Sequence, residues 1–215
     1  MKTASVFRLF LIGLAALLAL VPQAASFAST PVDPSTLIPP PFAGSNAVCS
    51  QIGLGTICHI QFSDPPLVND PNTIQCGTGP NAYELFFLTS QSRSVNGRRF
   101  YDQDKKLLQR HYRETFSGTY LNPATGTVLG FAGDDTVIHN LSIPGDITSG
   151  TISVTGSFRV FRPQDGRVLI DAGTSLFTAP EYDETLIRQA GQHPFNDYYL
   201  LGNVAALQPL CDALK

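Results

Sequence analysis

Tryptophan is absent from this chain, methionine occurs once, and only 14% of the 215 residues are charged. Without tryptophan the best stacking platform for sugars and quaternary cations is missing, so any such contact falls to tyrosine or phenylalanine. Signatures of particular chemistries are missing too: there is no Gly-x-Ser-x-Gly elbow, phosphate loop, His-Glu-x-x-His or Cys-x-x-Cys. Gly53-Leu54-Gly55 lacks the third glycine and the following helix of a dinucleotide turn. No cysteine pair has zinc-knuckle spacing with a histidine at matching distance, and Asp102-Gln103-Asp104 runs straight into Lys105-Lys106 instead of completing a calcium loop. No metal and no cofactor are therefore expected.

What is present starts with a segment built for export. Residues 1–28 carry a basic start at Lys2 and Arg8, an apolar run over 9–21, and the small-residue stretch Ala24-Ala25-Ser26-Phe27-Ala28. The apolar run meets Pro22 well short of the roughly 20 residues a spanning helix needs, so cleavage after Ala28 and a secreted product without a transmembrane segment are expected. Losing Lys2 and Arg8 leaves 12 basic against 17 acidic residues, a net charge of about −5. Residues 29–48, rich in proline and serine, read as an extended tether, and 49–215 as a single domain. Cys49, Cys58, Cys76 and Cys211 survive cleavage; an even count in an exported chain points to two disulfides. Three connectivities are open, and the preferred one joins Cys49 to Cys58 and Cys76 to Cys211.

From Cys58 onward the hydrophobic pattern has period two. Ile152, Val154, Gly156, Phe158 and Val160 share one strand face, and after Asp165-Gly166 the run Val168, Ile170, Ala172, Thr174, Leu176 completes a hairpin. Tyr83, Leu85 and Phe87 alternate with Phe86 and Leu88, and Asn96-Gly97 offers another tight turn. Leu108, Tyr112, Phe116 and Tyr120 mark a further strand. One more starts at 127–131 and is either continued past a bulge at Gly133-Asp134-Asp135 or followed by a separate strand over 136–141. With 56–62 and 198–201 added, about eight short strands are expected, followed by a short helix within 204–214 that Pro209 confines. The fold class is all-β, an antiparallel meander in a barrel, with a two-sheet sandwich as the alternative.

Candidate chemistry is sparse. Asp134, Asp135 and Asp171 are carboxylates that could work as a pair, and His111 and His139 lie on neighbouring strands where they could meet. Either set requires convergence in one cavity, so a hydrolase or cyclase is the second reading and a non-catalytic binding domain the first. Tyr112, Phe116 and Phe158 are candidates for lining a barrel mouth that takes a small apolar ligand. Seven basic residues fall between Arg93 and Arg113, and Arg98 and Arg99 among them are candidates for gripping an anionic surface polymer. Nucleic acid is not expected, because the net charge opposes it.

The ordered segments Asn122-Pro-Ala-Thr-Gly126, Ala132-Gly-Asp-Asp-Thr-Val137, Thr155-Gly-Ser-Phe-Arg-Val160, Gly166-Arg-Val-Leu-Ile-Asp-Ala-Gly173, Ala190-Gly-Gln-His-Pro194 and Leu210-Cys-Asp-Ala-Leu214 together resemble a group of uncharacterised secreted bacterial proteins of actinobacterial type. The resemblance spans Cys76 to the C-terminus. It implies a signal peptide, an all-β body and a late cysteine paired with an early one, and carries no activity to any residue.

Overall fold

The computed structural model describes residues 29–65, 68–77, 79–162, 166–180 and 185–215. Residues 1–28, read from sequence as an export segment, and residues 163–165, read from sequence as part of a turn, lie outside them. Among the described residues ten antiparallel strands form one sheet: β1 (Thr30–Val32), β2 (Val48–Ile52), β3 (Gly55–Asp64), β4 (Val68–Cys76), β5 (Tyr83–Tyr101), β6 (Leu107–Leu121), β7 (Val128–Asn140), β8 (Thr151–Arg162), β9 (Gly166–Thr178) and β10 (Leu186–Gln192). Two short helices close the chain, α1 (Pro194–Tyr199) and α2 (Gln208–Ala213). The pairing path runs β1-β2-β3-β5-β6-β7-β8-β9-β10. β4 follows β3 end to end along the same edge of β5, because the 19-residue β5 pairs with β4 through its first half and with β3 through its second.

One sheet sets aside the two-sheet alternative. Among the described residues β10 does not pair with β1, so strand pairing leaves the sheet open. Its open side at one end is bridged by the C-terminal segment: Tyr198 Oη accepts the Gln75 N–H on β4 at 3.0 Å, and Asn122 donates to the Leu214 carbonyl at 2.9 Å. Both preferred disulfides are present, Cys49–Cys58 and Cys76–Cys211, and the second ties α2 to β4.

Several expectations are corrected. Asn96-Gly97 is no turn; β5 continues through it, because Gly97 gives room for Ile60 and Tyr112, whose side-chain carbons would lie 2.9 Å from a Cβ there. β7 runs through 133–135 with unbroken register, so there is neither a bulge nor a second strand at Asp134-Asp135. Residues 198–201 are not a strand: Pro194 starts α1, which packs Phe195 and Tyr198 against the main apolar cluster. The 29–48 segment is no free tether; β1 pairs with β2, Leu37 is buried, and Tyr101 Oη and Arg99 donate to the carbonyls of Pro39 and Pro40. The expected helix follows a 3-10 turn at Val204–Leu207, with Pro209 in its first turn. The side chains of Phe86, Phe87 and Leu88 lie outside those described.

Because paired residues in an antiparallel sheet share a face, the registers assign every strand. All three apolar clusters lie on one face, here called the inner face. Leu85, Tyr120, Leu129, Phe131, Val160 and Leu169 pack beneath α2 at one end, and Cys58, Tyr101 and Leu107 pack with Leu37 at the other. Burying an apolar side chain is worth about 1.5–3 kcal/mol, so this face carries the fold. Between the two ends runs a polar belt in which Arg93 bridges Asp64 at 3.0 Å and Glu114 at 2.8 Å.

Candidate active cleft on the inner face

A cavity of about 390 Å³ opens between α1 and the inner faces of β6 to β9. Its aromatic walls include Phe116, Phe158, Phe177 and Phe195; its polar groups include Asp135, Asp171, Ser175, His193 and Asn196. The floor exists because of glycine. Asp135, Gly156, Gly173 and Gly191 are register partners across four adjacent strands, so one row of the sheet carries a carboxylate and then no side chains at all. A Cβ on Gly156 would collide with Asp135 Oδ1, so Asp135 lies over its neighbour's bare backbone.

Burial pushes the Asp135 carboxyl up to about 6, and the negative charges of Glu114, Asp134 and Asp171 push the same way. Burial also raises Asp171, although the Phe195 N–H and His193 oppose it. Asp171 is held at both oxygens: Oδ2 accepts the Phe195 N–H at 3.1 Å, and Oδ1 lies 3.1 Å from His193 Nδ1. His193 Nε2 lies 3.0 Å from the Ala190 carbonyl oxygen, which can only accept, so Nε2 carries a hydrogen. The Nδ1 contact then needs exactly one further proton, either on the imidazole facing a carboxylate or on Asp171 facing a neutral ring. Asn196 completes the wall, donating to Ser175 Oγ at 2.9 Å.

Of the sequence candidates, Asp135, Asp171, Phe116 and Phe158 meet here. Asp134 does not: in register with Ser157, it lies on the opposite face and pairs loosely with Arg113 at 3.8 Å. His111 and His139 do not meet either, because His139 pairs with Arg110 and His111 with Ile138, one residue out of phase. His139 is a buried clamp. Arg110 donates to its Nδ1 at 3.1 Å, its Nε2 donates to the Ser149 carbonyl at 2.8 Å, and burial lowers its pKa. Tyr112 is buried on the inner face but outside this cleft, its ring 5.4 Å from the Arg110 guanidinium carbon. The basic segment is split by the sheet: Arg93, Arg99 and Arg110 point inward and Arg98 and Arg113 outward, so Arg99 is a buried structural donor and no surface contact.

Sequence reasoning missed His193, Ser175 and Asn196. A signal existed on β9, where the inner residues are Leu169, Asp171, Gly173, Ser175 and Phe177, not the more apolar Val168-to-Leu176 set. Among the described residues no cluster of three His, Cys, Asp or Glu groups suits a metal ion, and no helix is long and apolar enough to cross a membrane. Compared with known proteins, the chain matches no protein-family model, no curated protein and no solved structure.

Proposed function

We propose that the inner-face cleft binds a small, mainly apolar molecule carrying one hydrogen-bond donor, which meets Asp135. The observation that carries this reading is the convergence of four phenylalanines and the half-buried Asp135 carboxyl on one cavity of about 390 Å³, within the range of small-molecule sites. In this reading the curled sheet serves as a partial barrel whose missing wall is supplied by the C-terminal helices. The protein acts outside the cytoplasm as a secreted product of cleavage, with which its two disulfides are compatible. N-phenyl-1-naphthylamine, an apolar fluorophore with a single N–H, is a suitable probe. Saturable fluorescence enhancement with the parent protein and its loss in Val154→Phe, which fills the cavity, are expected. Equal enhancement by both proteins would place the probe elsewhere and overturn the reading.

A second reading, acid–base catalysis in the same cleft, is favoured by one specific fact: Asp135 and the proton-sharing Asp171–His193 pair line the same space. Turnover of a chromogenic ester or glycoside that disappears in Asp135→Asn would support it. Turnover that survives in Asp135→Asn and in His193→Gln would remove it.

A further inference from the structure

The outer face of the sheet holds a second constellation, independent of the cleft. His59, Arg98 and His111 are direct register partners on β3, β5 and β6, so three nitrogen cations or potential cations stand side by side across the ladder. Two residues along, the parallel row reads Gln61, Asn96, Arg113 and Thr136. Both rows border one shallow depression of about 590 Å³. Like charges directly opposite each other on a sheet destabilise it, so this row is arranged against its own repulsion. Among the described residues Arg113 pairs with Asp134 at 3.8 Å, both side chains being largely in solvent, and Arg98 makes no ion pair. His111 Nε2 is buried without a hydrogen-bond partner, while the ring packs edge-on against Phe100 at 5.1 Å.

We infer that this outer face binds an acidic polysaccharide, its carboxylate or sulfate groups seated on Arg98, Arg113, His59 and His111 and its hydroxyls on Gln61, Asn96 and Thr136. Two features favour a sugar polymer over a nucleic acid. Neutral amide and hydroxyl groups are interleaved with the cations, which suits a chain that alternates hydroxyls with anionic groups. The one tyrosine or phenylalanine bordering the depression, Tyr112, is buried on the far side of the sheet past Gly97, and the nearby Phe100 is taken up edge-on by His111, so no row of free rings is offered for successive bases to stack on. Arg98 and Arg113 supply the charge, and the rings of His59 and His111 flank Arg98 in the same row.

Calorimetric titration with polygalacturonate, dextran sulfate, neutral dextran and an oligothymidine tests this, the first two separating carboxylate from sulfate. At least one acidic polysaccharide is expected to bind, and less tightly as salt is raised, because the contacts are between exposed charges. Arg98→Gln with Arg113→Gln is expected to weaken binding by about tenfold, as two exposed charge contacts would. Thr136→Glu, a change at an exposed position, should weaken binding without touching the basic residues, which guards against a folding defect in the arginine pair. Unchanged affinity in the arginine and Thr136→Glu variants, equal binding of neutral dextran, or oligothymidine binding as tight as the polysaccharides would each overturn the inference.

Discussion

Gly173 lies so close to His193 that a Cβ placed on it would sit 2.7 Å from Nε2 and would collide outright with the Ala190 carbonyl. Its φ of +148° adds a backbone conformation that side chains rarely adopt. The absence of a side chain here is what lets the histidine reach Asp171.

Gly173→Ala is therefore expected to cost about 3 kcal/mol or more, since overpacking and backbone strain act together. The turn glycine Gly126, also at positive φ but with nothing within 4 Å of an added Cβ, serves as the control. Gly126→Ala should cost about 1 kcal/mol. Urea unfolding of both variants checks the difference.

The proton shared by Asp171 and His193 separates two further substitutions. In Asp171→Asn the amide can donate to a neutral Nδ1 while its oxygen still accepts the Phe195 N–H, so the cost should stay below about 1 kcal/mol. His193→Ala leaves the buried Asp171 oxygen unsatisfied and should cost about 1–3 kcal/mol. Thermal melts near neutral pH rank the two, and the opposite ranking would contradict the proton count.

Removing the disulfides should have unequal effects, because they close loops of very different length. Chain entropy assigns about 5 kcal/mol to Cys76–Cys211, with a separation of 135, and about 2.6 kcal/mol to Cys49–Cys58, with a separation of 9. Paired Cys→Ser variants compared in urea should show the first as the larger loss.

Asp135 makes stability fall as pH rises. Its carboxyl titrates at about 6 when folded against an ordinary 3.8, so the folded state holds the proton more tightly and unfolding releases it within that window. The ionised group therefore costs stability above about pH 6 and nothing below about pH 4. Asp135→Asn should be more stable than the parent at pH 7.5 by about 1 kcal/mol, less than the full shift implies because water partly screens the group. The advantage should vanish near pH 4.

The all-β class and the inner face of β8 were legible because each rests on spacing alone, whereas the cysteine pairing was a preference among three connectivities that sequence leaves open. The faces of β9 were not. Leu169, Asp171, Gly173, Ser175 and Phe177 point inward, and a strand that puts an acid, a glycine and a serine toward a cavity looks, by hydropathy, as if it faced water. The same logic hid the split of the basic segment. Arg93 and Arg99 point inward and Arg98 outward, a difference of register that only strand pairing reveals. Asn96-Gly97 misled for a related reason: turn chemistry and close side-chain approach both call for glycine. Convergence of Asp135 with Asp171 and His193 depends on residues 58 positions apart at the extremes, and no local pattern encodes it.

Side-chain carboxyl carbon-13 NMR of Asp135, titrated with pH in the presence and absence of N-phenyl-1-naphthylamine, addresses the cleft directly. A midpoint at about 6 that moves when the probe saturates the protein is the result this account requires. A carboxyl that titrates in the ordinary aspartate range and ignores the probe would mean that Asp135 faces open water, and that no ligand cleft stands beside it.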